Sequence, residues 1–125
     1  MTDPHGIFWH HAPQPGGAGP LAGLTLAVKD NVDVAGMPTT AGFAGMNRMA
    51  EQDAPCVAAL RAAGVAIIGK VAMHEGALGA TTDVPRLCHN PLRHGFTPGG
   101  SSGGSGAAIA AGLADLAIGT DTMGS

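Results

Sequence analysis

The chain has 125 residues, 45% of them hydrophobic and only 3% aromatic, which predicts one modest domain with an aliphatic core. Its net charge of −3, with six Lys and Arg residues in total, argues against a surface that binds nucleic acid directly. The 21 Gly and 9 Pro residues are spread through distinct motifs, so a low-complexity, disordered chain is also excluded.

The first third of the chain predicts an extended segment followed by one strand. Residues 1–20 hold four prolines and several glycines, and we expect them to form an extended N-terminal arm. Residues 21–28 (LAGLTLAV) are apolar and predict a strand, which ends at the charged Lys29. Residues 31–50 predict a loop.

The middle of the chain predicts a helix and then a second strand. Asp53 is the expected N-cap of a helix over residues 54–63, and Pro55 suits its first turn. Gly64 suits the position after the helix end, and residues 65–68 (VAII) predict a short buried strand.

The remaining residues extend the same alternation. Residues 73–79 predict one or two helical turns, and residues 83–100 predict a loop with three prolines. Residues 103–111 predict an alanine-rich helix, and residues 116–118 a short strand. Helices that alternate with strands predict an α/β layered domain.

Targeting and metal signals are absent from the pattern. The N-terminus lacks the basic region and apolar run of a signal peptide, and the longest apolar stretch, broken by Asp115, is too short to span a bilayer. Cys56 and Cys88 match no metal-ligand spacing, and the six histidines are scattered. We expect a cytoplasmic protein with no cofactor, no metal and no membrane association.

Lys29 is the first candidate for chemistry. A lysine at the end of a strand is ordinarily a solvated charge. A functional lysine would be desolvated, which lowers its pKa from about 10.4 toward neutrality and lets it accept a proton. The sequence around Lys29 leaves both interpretations open.

Two loops rich in glycine and serine are the other candidates. Residues 99–105 (GGSSGGS) lead directly into an alanine-rich segment, which a flexible linker rarely does, and they lack the Gly-Lys-Ser/Thr of a phosphate-binding loop. Strained loops of this composition can present serine side chains to a substrate. Residues 119–125 (GTDTMGS) suit either an ordinary turn or an oxyanion hole of backbone N–H groups beside a serine.

The chain resembles the amidase signature family in three motifs and in their order: AVKDN, which contains Lys29, then GGSSGGS, then GTDTMGS. The resemblance extends over residues 19–125 and includes the landmarks RAAG, GK and HEGALG. It implies an α/β fold with a large mixed sheet flanked by helices, truncated here. Residues 21–125 would form the N-terminal part of a single amidase domain.

The resemblance also implies the site. The catalytic residues would be a Ser–cis-Ser–Lys triad of Lys29, Ser101 and Ser125. The oxyanion hole would consist of four backbone N–H groups, those of Thr122, Met123, Gly124 and Ser125. The family usually has glycine where Met123 stands, and its side chain would alter the acyl pocket.

The implied activity is an amidohydrolase that cleaves a small-molecule carboxylic amide through an acyl-serine intermediate. The alternatives are the glutaminase (A) subunit of a tRNA-dependent amidotransferase and a catalytically inert truncated fragment. We expect little or no turnover from these 125 residues alone, because a large sheet cut after its early elements exposes edges and half a core. The expected partner is the amide substrate, and the resemblance leaves room for a homodimer.

Overall fold

Four strands form the central sheet in the computed structural model, which describes residues 2–125. In chain order the elements are β1 (Phe8–Gln14), β2 (Thr25–Lys29), β3 (Pro38–Thr39), β4 (Arg48–Met49), α1 (Pro55–Ala62), β5 (Ala66–Val71), a 3-10 turn (Glu75–Ala77), α2 (Gly103–Ala110) and β6 (Leu116–Ile118). The predicted α/β class is confirmed.

The order of strands in the sheet is β1-β5-β2-β6. Strands β5 and β6 both run parallel to β2, and β1 pairs antiparallel with β5 at one edge. Since Val28 pairs with Ile118, the carboxyl ends of β2 and β6 lie side by side at the same end of the sheet. In parallel sheets, ligand sites form outside the carboxyl ends of the strands. Here Lys29, at the carboxyl end of β2, lies close to the loop that follows β6.

The two faces of the sheet carry separate apolar clusters, because successive side chains of a strand point to opposite faces. One face buries Ala27 beneath α2, together with Ile7, Val71, Ala72, Cys88, Ala107, Ala108 and Ala114. The other face buries Leu26 and Val28 beneath α1, together with Val32, Val34, Met37, Val57, Val65 and Ile67. By the same alternation Lys29 lies on the Ala27 face and Asp30 on the Val28 face.

Helix α2 approaches the end of β5 more closely than a side chain would permit. A Cβ atom at Gly104 would lie 2.4 Å from both the N and the O atom of Ala72. The Gly104 N–H donates to the Ala72 carbonyl at 2.8 Å. The glycine therefore sets how closely the helix, and the serine loop before it, can approach the sheet.

Several predicted elements differ from the structure. Strand β2 begins at Thr25 and not at residue 21, because residues 19–24 form turns. The predicted loop over residues 31–50 contains the short pair β3–β4. Residues 8–14 of the predicted arm form β1, and the helical turns expected over residues 73–79 shorten to one 3-10 turn.

The predicted cap at Asp53 is wrong, whereas the helix itself is confirmed. The N-cap of α1 is Ala54, and Pro55 lies in the first turn as predicted. The Asp53 carboxylate instead accepts the Ala35 N–H at 2.8 Å and pairs with Arg61 at 2.7 Å. An ion pair with Arg61 therefore takes the place of a backbone cap.

Neither α1 nor α2 exceeds eight residues, and the part of the chain that the structure describes contains no helix long and apolar enough to cross a membrane.

Candidate active site

Lys29, the last residue of β2, has a fully buried side chain whose neighbours are hydroxyl groups. Its Nζ atom lies 2.6 Å from Ser101 Oγ, 2.9 Å from Ser102 Oγ and 2.8 Å from Thr120 Oγ1. Burial lowers the pKa of Lys29 below its ordinary value of 10.5, and the charge of Asp121 partly opposes that shift. At a given pH, more of the Lys29 amine is therefore neutral than in a solvated lysine, and the neutral form is the one that can accept a proton.

Ser101 is fully buried, and its backbone is hydrogen-bonded to another segment of the chain. The peptide bond between Gly100 and Ser101 is cis, and the Ser101 carbonyl accepts the His74 N–H at 3.0 Å. Two residues before Ser101, the Gly99 carbonyl accepts a hydrogen bond from Thr82 Oγ1 at 2.7 Å. The backbone on both sides of the cis bond is thus tied to residues 74–82.

Ser125 completes a line of three side chains. Its Oγ atom lies 2.9 Å from Ser101 Oγ, which in turn lies 2.6 Å from Lys29 Nζ. The structure therefore brings together the three residues for which the resemblance implies catalysis. Two consecutive hydrogen bonds thus connect the Ser125 hydroxyl to the Lys29 amine.

A cleft of about 150 Å³ opens beside Ser125. Its lining residues are Ala77, Leu78, Gly79, Ala80, Gly100, Met123, Gly124 and Ser125. None of these eight carries a charged side chain, and the side chains of Leu78 and Met123 are largely exposed. The space next to the Ser125 hydroxyl is consequently small and mostly apolar.

The four predicted oxyanion-hole donors are in different situations. The N–H groups of Gly124 and Ser125 both donate to Asp121 Oδ1, the latter at 3.0 Å. Thr122 and Met123 lie in the same exposed loop. The four-donor hole stays a prediction, since in this arrangement a carboxylate of the chain occupies two of the donors.

Sequence reasoning missed two residues that contact Lys29. Ser102 contacts Lys29 and also accepts the Thr120 N–H at 3.2 Å. The Thr120 hydroxyl lies between Lys29 and Asn31, whose Nδ2 atom donates to it at 3.1 Å. Ser102 lies in the first serine loop and Thr120 in the second, so the sequence pointed to the right loops. Only the contacts in the structure show which of their hydroxyl groups reach the Lys29 amine.

Three partly exposed histidines form a separate cluster. The Nδ1 atoms of His5 and His94 lie 3.0 Å apart, and the rings of His89 and His94 stack with centroids 3.9 Å apart. Within residues 2–125, no group of three or more His, Cys, Asp or Glu side chains is arranged to hold a metal ion.

Comparison with known proteins gives one family. The family model described as Amidase matches residues 10–125. Among curated relatives, the glutamyl-tRNA(Gln) amidotransferase A-subunit of Natronomonas pharaonis is 48% identical, over 90% of this chain and 27% of that protein. The indoleacetamide hydrolase of Pseudomonas savastanoi is 47% identical, over 85% of this chain and 24% of that protein.

Solved structures agree with the sequence comparison. The crystal structure of the glutamyl-tRNA(Gln) amidotransferase A-subunit from Thermotoga maritima superposes with a TM-score of 0.81 at 34% identity. That match covers 93% of this chain and 26% of the other. The chain therefore spans about a quarter of the length of the proteins it matches.

Proposed function

The chain belongs to the amidase family, and from that premise we propose that it carries the acyl-transfer residues of an amidohydrolase acting on a carboxylic amide. The observation that supports the proposal most is the line from Lys29 Nζ through Ser101 Oγ to Ser125 Oγ, with steps of 2.6 and 2.9 Å. A serine hydroxyl is a weak nucleophile until a base removes its proton, and this line connects Ser125 to a base.

The proposed reaction begins with the neutral amine of Lys29. Ser101 passes its proton to Lys29 and accepts the proton of Ser125, so that Ser125 Oγ bonds to the carbonyl carbon of the amide. When the C–N bond of the tetrahedral intermediate breaks, the proton held on Lys29 returns through Ser101 to the leaving nitrogen. The products are ammonia or an amine and an acyl-Ser125 ester, which a water molecule then hydrolyses.

The carbonyl oxygen needs donors as it gains negative charge. We propose the backbone N–H groups of residues 122–125 for this role. Because Asp121 accepts two of these N–H groups, the substrate oxygen would have to replace its carboxylate at Gly124 and Ser125. An amide in the cleft beside Ser125 would have its acyl group near Leu78 and Met123.

The glutaminase component of a tRNA-dependent amidotransferase is the second candidate, because amidotransferase relatives match as well as hydrolases do. Glutamine carries an ammonium and a carboxylate group, and burying either without a partner is costly. The cleft residues that the structure describes include no charged side chain. That observation favours a neutral small-molecule amide over glutamine for the part of the site that this chain forms.

The cellular setting is also a proposal. Both Cys56 and Cys88 are free thiols, which supports a reducing compartment such as the cytoplasm. A homodimer stays a prediction.

Labelling with a serine-directed fluorophosphonate tests the proposed function. The chain has four serines, so intact mass followed by peptide mapping can assign the modified residue without ambiguity. We expect one added group, located on Ser125, and none in Ser125→Ala. Ser105→Ala is the matched control, because the Ser105 hydroxyl donates to the Ile118 carbonyl and contacts none of the three proposed catalytic residues. Labelling that persists in Ser125→Ala would overturn the proposal.

A further inference from the structure

Lys29 and Lys70 are the only two lysines of the chain, and both side chains are fully buried. Lysine is almost never fully buried unless it is paired. The two residues lie on neighbouring parallel strands, where Val28 is the partner of Lys70 and Lys29 is the partner of Val71. They are therefore one register position apart, and their side chains lie on opposite faces of the sheet.

Lys70 contacts one charged and two neutral oxygen atoms on the face of the sheet that carries Val28. Its Nζ atom lies 2.8 Å from Asp30 Oδ1, and it donates to the Pro38 carbonyl at 3.1 Å and to Thr39 Oγ1 at 3.3 Å. The other oxygen of Asp30 accepts the N–H and the hydroxyl of Thr40. Every residue that supplies a side chain to this group is buried.

The pair is joined to the site by one peptide bond, since Asp30 directly follows Lys29 in the chain. The Cα atoms of consecutive residues are about 3.8 Å apart. The Asp30 carboxylate therefore leaves the backbone one residue beyond Lys29, on the opposite face of the sheet, and both side chains are buried away from water. Charges in such surroundings are screened far less than charges at a surface.

We propose that the Asp30–Lys70 ion pair is a positioning device for Lys29. The ion pair joins the end of β2 to β5. Because the charges of Asp30 and Lys70 cancel, the face of the sheet opposite Lys29 carries no net charge next to it, and the amine stays available as a base. Lys70 and Asp30 are positioning residues, because their polar contacts lie with residues 38–40 and not with the two serines. The consequence for acyl transfer rests on the proposed function, whereas the effect on the protonation of Lys29 does not.

A charged side chain from another element also acts on the Lys29 amine. Asp121, from the loop after β6, favours the protonated amine. The other groups within hydrogen-bond distance are neutral: the hydroxyls of Ser101, Ser102 and Thr120 and the carbonyl of Thr120. If Lys70 lost its charge, the Asp30 carboxylate would become a second anion near the amine, still hydrogen-bonded to Thr40, and the two anions would act in the same direction.

Lysine-selective ¹³C NMR tests this directly, because the chain gives only two lysine side-chain signals. In Lys70→Met the single remaining signal belongs to Lys29, and we expect its pKa to rise by about one unit relative to the wild type. Below that pKa, the rate of Ser125 labelling by a fluorophosphonate should fall about tenfold, in proportion to the neutral amine. The matched control is the double variant Asp30→Asn, Lys70→Met, which removes both charges and should return the pKa of Lys29 to near the wild-type position.

Asp30→Asn is the second variant, in case Lys70→Met does not fold. It removes the anion and keeps a cation behind Lys29, so the pKa of Lys29 should move down. Opposite shifts in the two single variants are not expected from a purely structural pair. A folded single variant in which Lys29 titrates as in the wild type would overturn the inference. Shifts of the expected sign without a matching change in Ser125 labelling would leave the inference standing and contradict the role of Lys29 in the proposed function.

Discussion

The Oγ atoms of Ser101 and Ser125 lie 2.9 Å apart, although 24 positions separate the two residues in the chain. The intervening residues form α2, which leads away from Ser101, and β6, which returns along β2. The parallel pairing of β6 with β2 therefore closes the site: it brings Ser125 to the edge where Lys29 ends its strand. The site depends on sheet register as much as on the two serine loops.

Replacing Ser101 by alanine should interrupt proton transfer and leave the nucleophile in place. We expect the rate of fluorophosphonate labelling at Ser125 to fall about 10²-fold or more in Ser101→Ala, the usual effect of removing a general acid–base group. Stopped-time intact-mass measurements give the rate. Ser105→Ala, which removes another buried hydroxyl from the start of α2, should label at close to the wild-type rate.

Equal labelling rates in Ser101→Ala and the wild type would show that Ser125 is activated without Ser101. Circular dichroism of each variant shows whether it is folded, so that a slower labelling rate caused by unfolding can be distinguished from a loss of proton transfer.

Two glycines of α2 should respond oppositely to alanine. A Cβ at Gly104 would lie 2.4 Å from Ala72 backbone atoms, so Gly104→Ala should destabilise the fold by about 1–3 kcal/mol through overpacking. At Gly106 no atom lies within 4 Å of the added Cβ, and Gly106→Ala should stabilise by about 0.5–1 kcal/mol. Urea unfolding of the three proteins measures both changes. A Gly104→Ala variant as stable as Gly106→Ala would contradict the close packing of α2 on β5.

The two cysteines should differ in reactivity. Cys56 is exposed on α1, whereas Cys88 is buried and desolvation raises the pKa of its thiol to about 12. Because the thiolate is the reactive form, a thiol reagent at mildly alkaline pH should modify one cysteine in the native protein and both in denaturant. Peptide mapping should assign the native product to Cys56. Rapid modification of Cys88 in the native protein would mean that the apolar cluster beneath α2 is accessible to the reagent.

Lys29 should make stability depend on pH in a defined direction. Burial lowers its pKa in the folded state below 10.5, so the unfolded chain binds more protons between the two pKa values. Folding is therefore disfavoured below the folded pKa, and stability should rise as the pH increases toward about 10.5. The difference in unfolding free energy between the wild type and Lys29→Met, measured in urea at neutral and alkaline pH, should show this rise. A difference that falls with pH would contradict a desolvated amine.

The elements with local signals were the most predictable. The apolar run before Lys29, Pro55 at a helix start and the alanine-rich stretch after residue 103 each predicted an element within a few residues of its observed bounds. Which three side chains meet was implied by the resemblance to the amidase signature family and not by any local signal. The element predictions depend on short stretches of sequence, whose structure propensity and turn chemistry largely determine.

The remaining features depend on contacts between distant segments. Asp53 has the residue type of an N-cap, yet pairing with Arg61 and the Ala35 N–H overrides that preference. The two-residue strands β3 and β4 have no local signal, because only their mutual pairing defines them. Thr120 could not be assigned to the lysine from its motif alone, since its contact depends on the register of β6 with β2.

The central claim is that a neutral Lys29 activates Ser125 through Ser101, and the pH dependence of Ser125 labelling tests it most directly. In the wild type, the fluorophosphonate labelling rate should rise with pH along the titration of Lys29, with a midpoint below 10.5 because burial lowers the pKa of that amine. In Lys29→Met, the rate should be lower and should lack this midpoint. The same midpoint in Lys29→Met, with label still on Ser125, would contradict the claim.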